Sequence, residues 1–164
     1  MHKLKNLEFL TFQPELAEDF ESINKQWIRA MFTLEAADLL CLEQPQEQII
    51  DRGGQIWFAR NQGLGVLGCC AVMPKGAGAF ELTKMGVLEG TRGLKVGERL
   101  LKHVLQQVES MPIERLFLLT SKKCEAAIHL YEKHGFVHDQ GVMDTYGDSY
   151  ERCDVAMKFP RIWI

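Results

Sequence analysis

Residues 81–97 read ELTKMGVLEGTRGLKVG, and this stretch decides the fold. Leu82 to Val87 is an apolar, strand-like run. A glycine-broken turn follows, and the chain then enters a helix. From there Val96, Leu100, Leu101, Val104, Leu105 and Val108 recur at steps of three and four, which puts them on one buried face. A loop that runs into a helix N-terminus offers unpaired backbone N–H groups and the positive end of the helix dipole. Glycines let an anion approach the backbone, and Arg92 and Lys95 add charge. The natural guest is an anion, most simply a pyrophosphate. Taken alone, the loop reads more economically as a solvated turn with two basic residues.

Working outward, Arg115 to Thr120 predicts a further strand and Ser121 to His134 a helix, stopped by Gly135. That helix ends in AIHLYEKHGF, residues 127–136. Phe136 to Met143 and Ser149 to Phe159 read as two late strands. On the N-terminal side, Leu7, Phe9 and Thr11 suggest a first strand. A helix opened by Pro14 follows, with Leu16, Phe20, Ile23, Trp27 and Met31 on one face. Phe32–Leu42 and Gln44–Arg52 are shorter helical candidates. Gln55–Arg60 and Leu64–Met73 read as a hairpin, Pro74–Ala79 as a glycine-rich connection, and Phe80–Leu88 as a third strand of the meander. Helices, meander, strand–helix alternation and late strands together imply one domain over 1–164, with a mixed α/β sheet and helices on both faces.

Two motifs in this order resemble the GNAT N-acetyltransferase family. Arg92-Gly93-Leu94-Lys95-Val96-Gly97 follows the family's Arg/Gln-x-x-Gly-x-Gly/Ala loop, with Lys95 where the first loop glycine usually stands. Ala127 to Phe136 follows its Ala-x-x-Leu-Tyr-x-x-x-Gly-Phe helix end. Phe80 to Phe136 carries the resemblance. It implies a mixed, mostly antiparallel α+β sheet whose two central parallel strands splay apart. It also implies acetyl-CoA as co-substrate, a small-molecule or peptide primary amine as acceptor, and no metal. In that reading the backbone of Met85 and Val87 holds the pantetheine arm, and Arg92, Gly93, Leu94, Lys95, Val96 and Gly97 cradle the pyrophosphate. Cys124 takes the place of an Asn that commonly contacts the cofactor. Tyr131 protonates the departing thiolate, a task that suits a phenol with a pKa of about 10. The same fold without activity, as an acyl-CoA-binding or regulatory module, is the alternative.

Each role has a rival reading. Tyr131 also fits as a core aromatic on an amphipathic helix. Glu81 is the candidate base for the amine, acting through a water, and is equally a strand-end carboxylate. His138 has the right chemistry for a base, but a surface-loop histidine explains it as well. Glu35, Asp38, Asp144 and Asp148 fall in the segments expected to form the acceptor site. They either attract a cationic amine or are solvated surface.

Composition narrows the classes. A formal net charge of −3 argues against a general nucleic-acid binder. The five cysteines, Cys41, Cys69, Cys70, Cys124 and Cys153, have no metal-ligand spacing, and Cys69-Cys70 reads as small core hydrophobes. No signal-like or membrane-length apolar run is visible, so a cytoplasmic protein is expected. Gly63 to Gly68 matches GxGxxG, but an apolar strand follows it instead of a helix, so a hairpin is the better reading. The apolar tail, Phe159 to Ile164, either docks on the domain or joins a homodimer interface.

Overall fold

Four antiparallel strands open the sheet: β1 (Leu7–Thr11), β2 (Gln55–Asn61), β3 (Gly65–Gly76) and β4 (Ala79–Val87). The computed structural model describes residues 6–91 and 95–164. Asn61 closes the β2–β3 turn by accepting hydrogen bonds from the Gly63 and Leu64 N–H groups. The glycine-rich run is therefore a hairpin and not a nucleotide loop. The expected connection over 74–79 is a hairpin too. β3 continues to Gly76, and Ala77 and Gly78 make the turn at φ of 52° and 79°. Positive φ at two successive residues matches the right-handed twist of the flanking strands.

Between β1 and β2 lie a 3₁₀ turn (Pro14–Leu16), α1 (Ala17–Met31), α2 (Ala36–Glu43) and a π-helical turn (Gln46–Ile50). After β4 come α3 (Val96–Gln107), β5 (Arg115–Thr120), α4 (Glu125–Lys133), β6 (Val137–His138), α5 (Gln140–Tyr146) and β7 (Val155–Trp163). The seven strands order as β1-β2-β3-β4-β5-β7-β6, and only β4 and β5 run parallel. α3 makes the crossover that a parallel pair requires.

One face of the sheet is sealed by α3 and α4. Val96, Leu100, Leu101, Val104 and Tyr131 pack there on Trp57, Cys70, Phe80, Leu82, Leu116 and Met157. On the other face, Leu16, Phe20, Ile23 and Ile28 pack with Leu42 and Ile49 on Ile56, Phe58, Cys69 and Ala71. Cys69 and Cys70 point to opposite faces and are both fully buried, as a strand's alternation demands. The end of the α1 stripe departs from the expected core pattern. Trp27 is half-buried and Met31 exposed, because those two positions form a cavity wall.

Two expected elements are corrected. The helix over 121–134 starts only at Glu125. Ser121–Cys124 is a turn in which Cys124 N–H donates to Ser121 O and Lys122 N–H to Asp154. The late strand over 136–143 is two residues long. Asp139 accepts a hydrogen bond from Val142 N–H at 3.0 Å and so starts α5 instead. The strand expected from Ser149 begins at Val155 and runs to Trp163, which places most of the apolar tail in the sheet beside β5.

Gly86 is where α1 meets the sheet. A Cβ there would lie 2.6 Å from Trp27 Cδ1 and 2.8 Å from its Nε1. The indole is held in place because its N–H donates to Asn24, which itself donates to Phe20 O and Cys69 Sγ. Overpacking of this kind costs about 1–3 kcal/mol. Gly86→Ala is expected to lower stability by that amount and to redshift Trp27 emission, both measured in a urea titration followed by fluorescence.

Candidate active site

The site is created where β4 and β5 part. Their parallel pairing covers four positions, from Ala79↔Arg115 to Leu82↔Leu118. Beyond that, β5 keeps pairing with β7 and β4 with β3. The β5-facing edge of β4 from Thr83 to Val87 therefore has no strand partner. Leu88 N–H donates to Leu67 O on the β3 side, so alternation turns the Val87 N–H and C=O toward the opening.

A bulge shapes this edge. Between Ala71↔Thr83 and Cys69↔Gly86, two steps on β3 face three on β4. Lys84 takes up the extra residue in the left-handed region, at φ 53°. Its ammonium is driven inward, with Nζ 2.9 Å from Asp38 Oδ1 and 3.0 Å from the Tyr150 hydroxyl. Asp38 is wholly buried and also accepts two 2.7 Å hydrogen bonds from Arg152. Arg152 donates as well to Glu35, whose other oxygen accepts from Glu151 N–H. Burial by itself would raise the Asp38 carboxyl. The Arg152 hydrogen bonds and the Lys84 charge outweigh it and hold the group well below the usual carboxylate range. Burial would likewise lower Lys84, but Tyr150 and Asp38 together keep its value raised and the ammonium charged. The network ties the bulge to α2 and to the loop before β7.

The opening is a cavity of about 560 Å³. Its walls are β4 from Leu82 to Val87, the end of β5, the start of α4, Trp27 and Met31 of α1 with Phe32 just after it, and the Tyr150–Cys153 loop. Tyr131 lies in it, 8% exposed, with its hydroxyl 3.9 Å from Met85 Sδ. Burial pushes this phenol above its ordinary value, so it stays protonated at neutral pH. Glu98 in the first turn of α3 fastens α4 nearby. Its Oε2 lies 2.8 Å from Lys133 Nζ and 2.7 Å from His134 Nε2. Hydrogen bonds from those two residues hold the Glu98 carboxyl down at about 2.

The residues singled out from the sequence separate cleanly. Met85, Val87, Cys124 and Tyr131 all line the cavity. Val96 is buried, and Gly97 sits against Val87 and Met85, where a Cβ would have its nearest contact at 3.5 Å. Lys95 is exposed in the left-handed region at φ 57°, a conformation that suits the glycine it replaces. Arg92, Gly93 and Leu94 lie outside the described residues. Glu81 is 1% exposed and does not line the cavity; its Oε1 lies 3.4 Å from Lys75 Nζ without making a hydrogen bond. His138 is exposed, paired with Glu132 and away from the opening. The four acidic residues weighed as amine-attracting or as solvated surface do not line it either. Asp38 and Glu35 are bound by Arg152, and Asp144 and Asp148 are exposed elsewhere. Sequence reasoning missed Lys84, Tyr150 and Phe32. The mixed charge of residues 150–154 was the one available signal.

The site is thus a strand edge left free beside a buried phenol, between two parted parallel strands. The family model described as acetyltransferase (GNAT) domain matches residues 52–138. The chain belongs to the GNAT acetyltransferase family, whose members in general use acetyl-CoA and amine acceptors. An uncharacterized N-acetyltransferase of Schizosaccharomyces pombe is 28% identical over 127 residues, 75% of this chain and 77% of that protein. An amino-acid acetyltransferase of Ralstonia nicotianae is 38% identical over 74 residues, 44% of this chain but only 16% of that protein's length. A GNAT-family acetyltransferase from Staphylococcus aureus superposes with a TM-score of 0.82 at 20% identity, covering 93% of this chain and 98% of its own, a likeness of fold.

Removing one partner of a buried ion pair costs about 3–5 kcal/mol, because the other charge is left uncompensated. Asp38→Asn is expected to lose that much in chemical unfolding. Asp144→Asn, at the surface, is expected to leave stability unchanged in the same assay.

Proposed function

We propose that this chain is an acetyl-CoA-dependent N-acetyltransferase that moves an acetyl group to a primary amine by direct attack. One observation carries the reading: the unpaired β4 edge, Thr83 to Val87, faces a cavity that also holds a buried, protonated Tyr131. The residues present fit the co-substrate. Its pantetheine arm would pair with the Met85–Val87 backbone as an added strand does. The N–H groups at the start of α3, with Lys95, Val96 and Gly97, would hold its anionic end as a helix N-terminus favours. Arg92, Gly93 and Leu94 complete that loop in the sequence. Cys124 would flank the arm from the start of α4. The bound thioester supplies an activated acyl carbon.

The protein then has three tasks. A backbone N–H of the Met85–Val87 segment polarises the acyl carbonyl. Glu81 is buried behind the cavity wall and does not line it, so it accepts the surplus proton of the attacking amine only through an intervening water. Burial raises the Glu81 carboxyl, with Lys75 and Lys84 opposing, which brings it closer to the working pH of a base. As the new C–N bond forms and the C–S bond breaks, Tyr131 gives its proton to the departing sulfur. A neutral phenol is in place for this because, among the described residues, its hydroxyl otherwise meets the weak acceptor Met85 Sδ.

Tyr131→Phe is expected to lower kcat by 10²-fold or more, the scale of a lost general acid, with acetyl-CoA affinity by calorimetry unchanged. A fully active Tyr131→Phe enzyme would remove this residue from the reaction. The pH profile follows from the two directions. Tyr131 is raised, so its deprotonation should not depress kcat below pH ~10. Glu81 is raised, so kcat should fall on acidification at a pH above the ordinary Glu value of ~4.3. In Glu81→Gln that acid limb should vanish, and a profile identical to wild type would exclude Glu81 as the base.

A further inference from the structure

The charges around the cavity bear on which amines it admits. Among the described residues its charged lining is Lys84, Lys123 and Arg152, opposed by the single carboxylate of Glu125. The nearest acidic residues behind that wall are already engaged: Asp38 by Lys84 and Arg152, Glu35 by Arg152 and the Glu151 N–H. Lys123 and Arg152 converge on one ring at the mouth. Lys123 Nζ is 5.4 Å and Arg152 Cζ 5.6 Å from the Phe32 centroid. Among the described residues Lys123 has no carboxylate within ion-pair distance. Two cations gathered over one aromatic ring repel each other, and a bound anion relieves that repulsion. Arg152 also keeps donors in hand. Nη1 and Nη2 make the contacts to Asp38 and Glu35, and Nε–H is in none of them.

The geometry points to an acceptor that carries a carboxylate together with its amine, the carboxylate seated at the mouth against Lys123 and Arg152 beside Phe32. The inference rests on the acetyltransfer reading and narrows its substrate class. Chemistry at the other end of the acceptor agrees. An ammonium must lose its proton before it can attack, and positive surroundings lower its pKa. Lys84 and Arg152 are matched by Asp38 and Glu35, so Lys123 is the charge that favours the reactive neutral amine while holding the anionic tail. A polyamine would bring several positive charges to the same wall, where among the described residues the carboxylates without an ion pair are Glu125 in the cavity and Glu151 in the adjoining groove.

The test compares kcat/KM for amino acids with their matching amino-acid amides, with spermidine as a polycation, by thiol release from acetyl-CoA. Calorimetry with acetyl-CoA alone is run beside it. The acids are expected to exceed their amides by 10-fold or more, although an amide's amine is the less basic and so more often neutral. Spermidine is expected to be the poorest acceptor. Lys123 is exposed, so Lys123→Glu should fold normally and should bring the acid-to-amide ratio down to one or below. Equal or faster turnover of the amides or spermidine, with acetyl-CoA binding intact, overturns the substrate class and leaves acetyltransfer standing. Acetyl-CoA binding that is absent by calorimetry overturns both.

Discussion

The buried ammonium of Lys84 is the constraint on which the site depends. A strand has no room for an extra residue without a bend, and a lysine has no intrinsic reason to occupy the left-handed region. Asp38 and Tyr150 give it one, by binding the charge that the bulge turns inward. With Lys84 anchored, the second half of β4 diverges from β5, and the strand edge beyond Leu82 is left for something other than protein. The same carboxylate holds Arg152, so the bulge, α2 and the loop before β7 are fixed by one group of charges. Buried ion pairs of this kind contribute little net stability compared with apolar packing. Their value here is geometric.

Much of this was legible in the sequence, for physical reasons. The α3 stripe, the β2–β3 and β3–β4 hairpins and the strand–helix–strand order follow from periodicity and glycine placement, which act locally. The two motifs located Met85, Val87, Cys124 and Tyr131 at one cavity because each sits at a fixed offset from a strand end or helix end. The acceptor wall was not legible. Lys84, Asp38 and Tyr150 are separated by 46 and 66 residues, and no local pattern announces contacts of that range. Sequence leaves Asp38 and Glu35 open between amine-attracting and solvated groups, because it does not show whether a carboxylate is already neutralised. The late segment was misjudged for a local reason. Apolar residues after Phe136 suggested a strand, but Asp139 capped a helix first.

Opposite demands meet in α1. Its first turns obey the core, with Phe20 and Ile23 fully packed, and its last turn leaves the core to wall a cavity. Gly86 reconciles the two by letting an indole lie against the strand backbone. The result is an apolar lining on the α1 side, from Trp27 to Phe32, facing a polar rim of Lys123 and Arg152. That combination suits recognition of a small solute better than it suits packing: apolar surface supplies contact, and a few fixed charges supply orientation.

The brevity of the parallel seam has a consequence for how the molecule holds together. Four residue pairs are the sheet's whole connection between a leaf of β1 to β4 and a leaf of β5 to β7. Each leaf is built from antiparallel neighbours and has helices of its own, so each resembles a cooperative unit, and the seam between them is the natural line of sub-global opening. A molecule wedged into the gap and bonded to the β4 edge would act as missing rungs and would couple the two leaves. Binding to the closed form alone shifts the folding equilibrium by mass action. The core beneath α3 and α4 spans both leaves, and whatever fills the central gap would add to that cohesion.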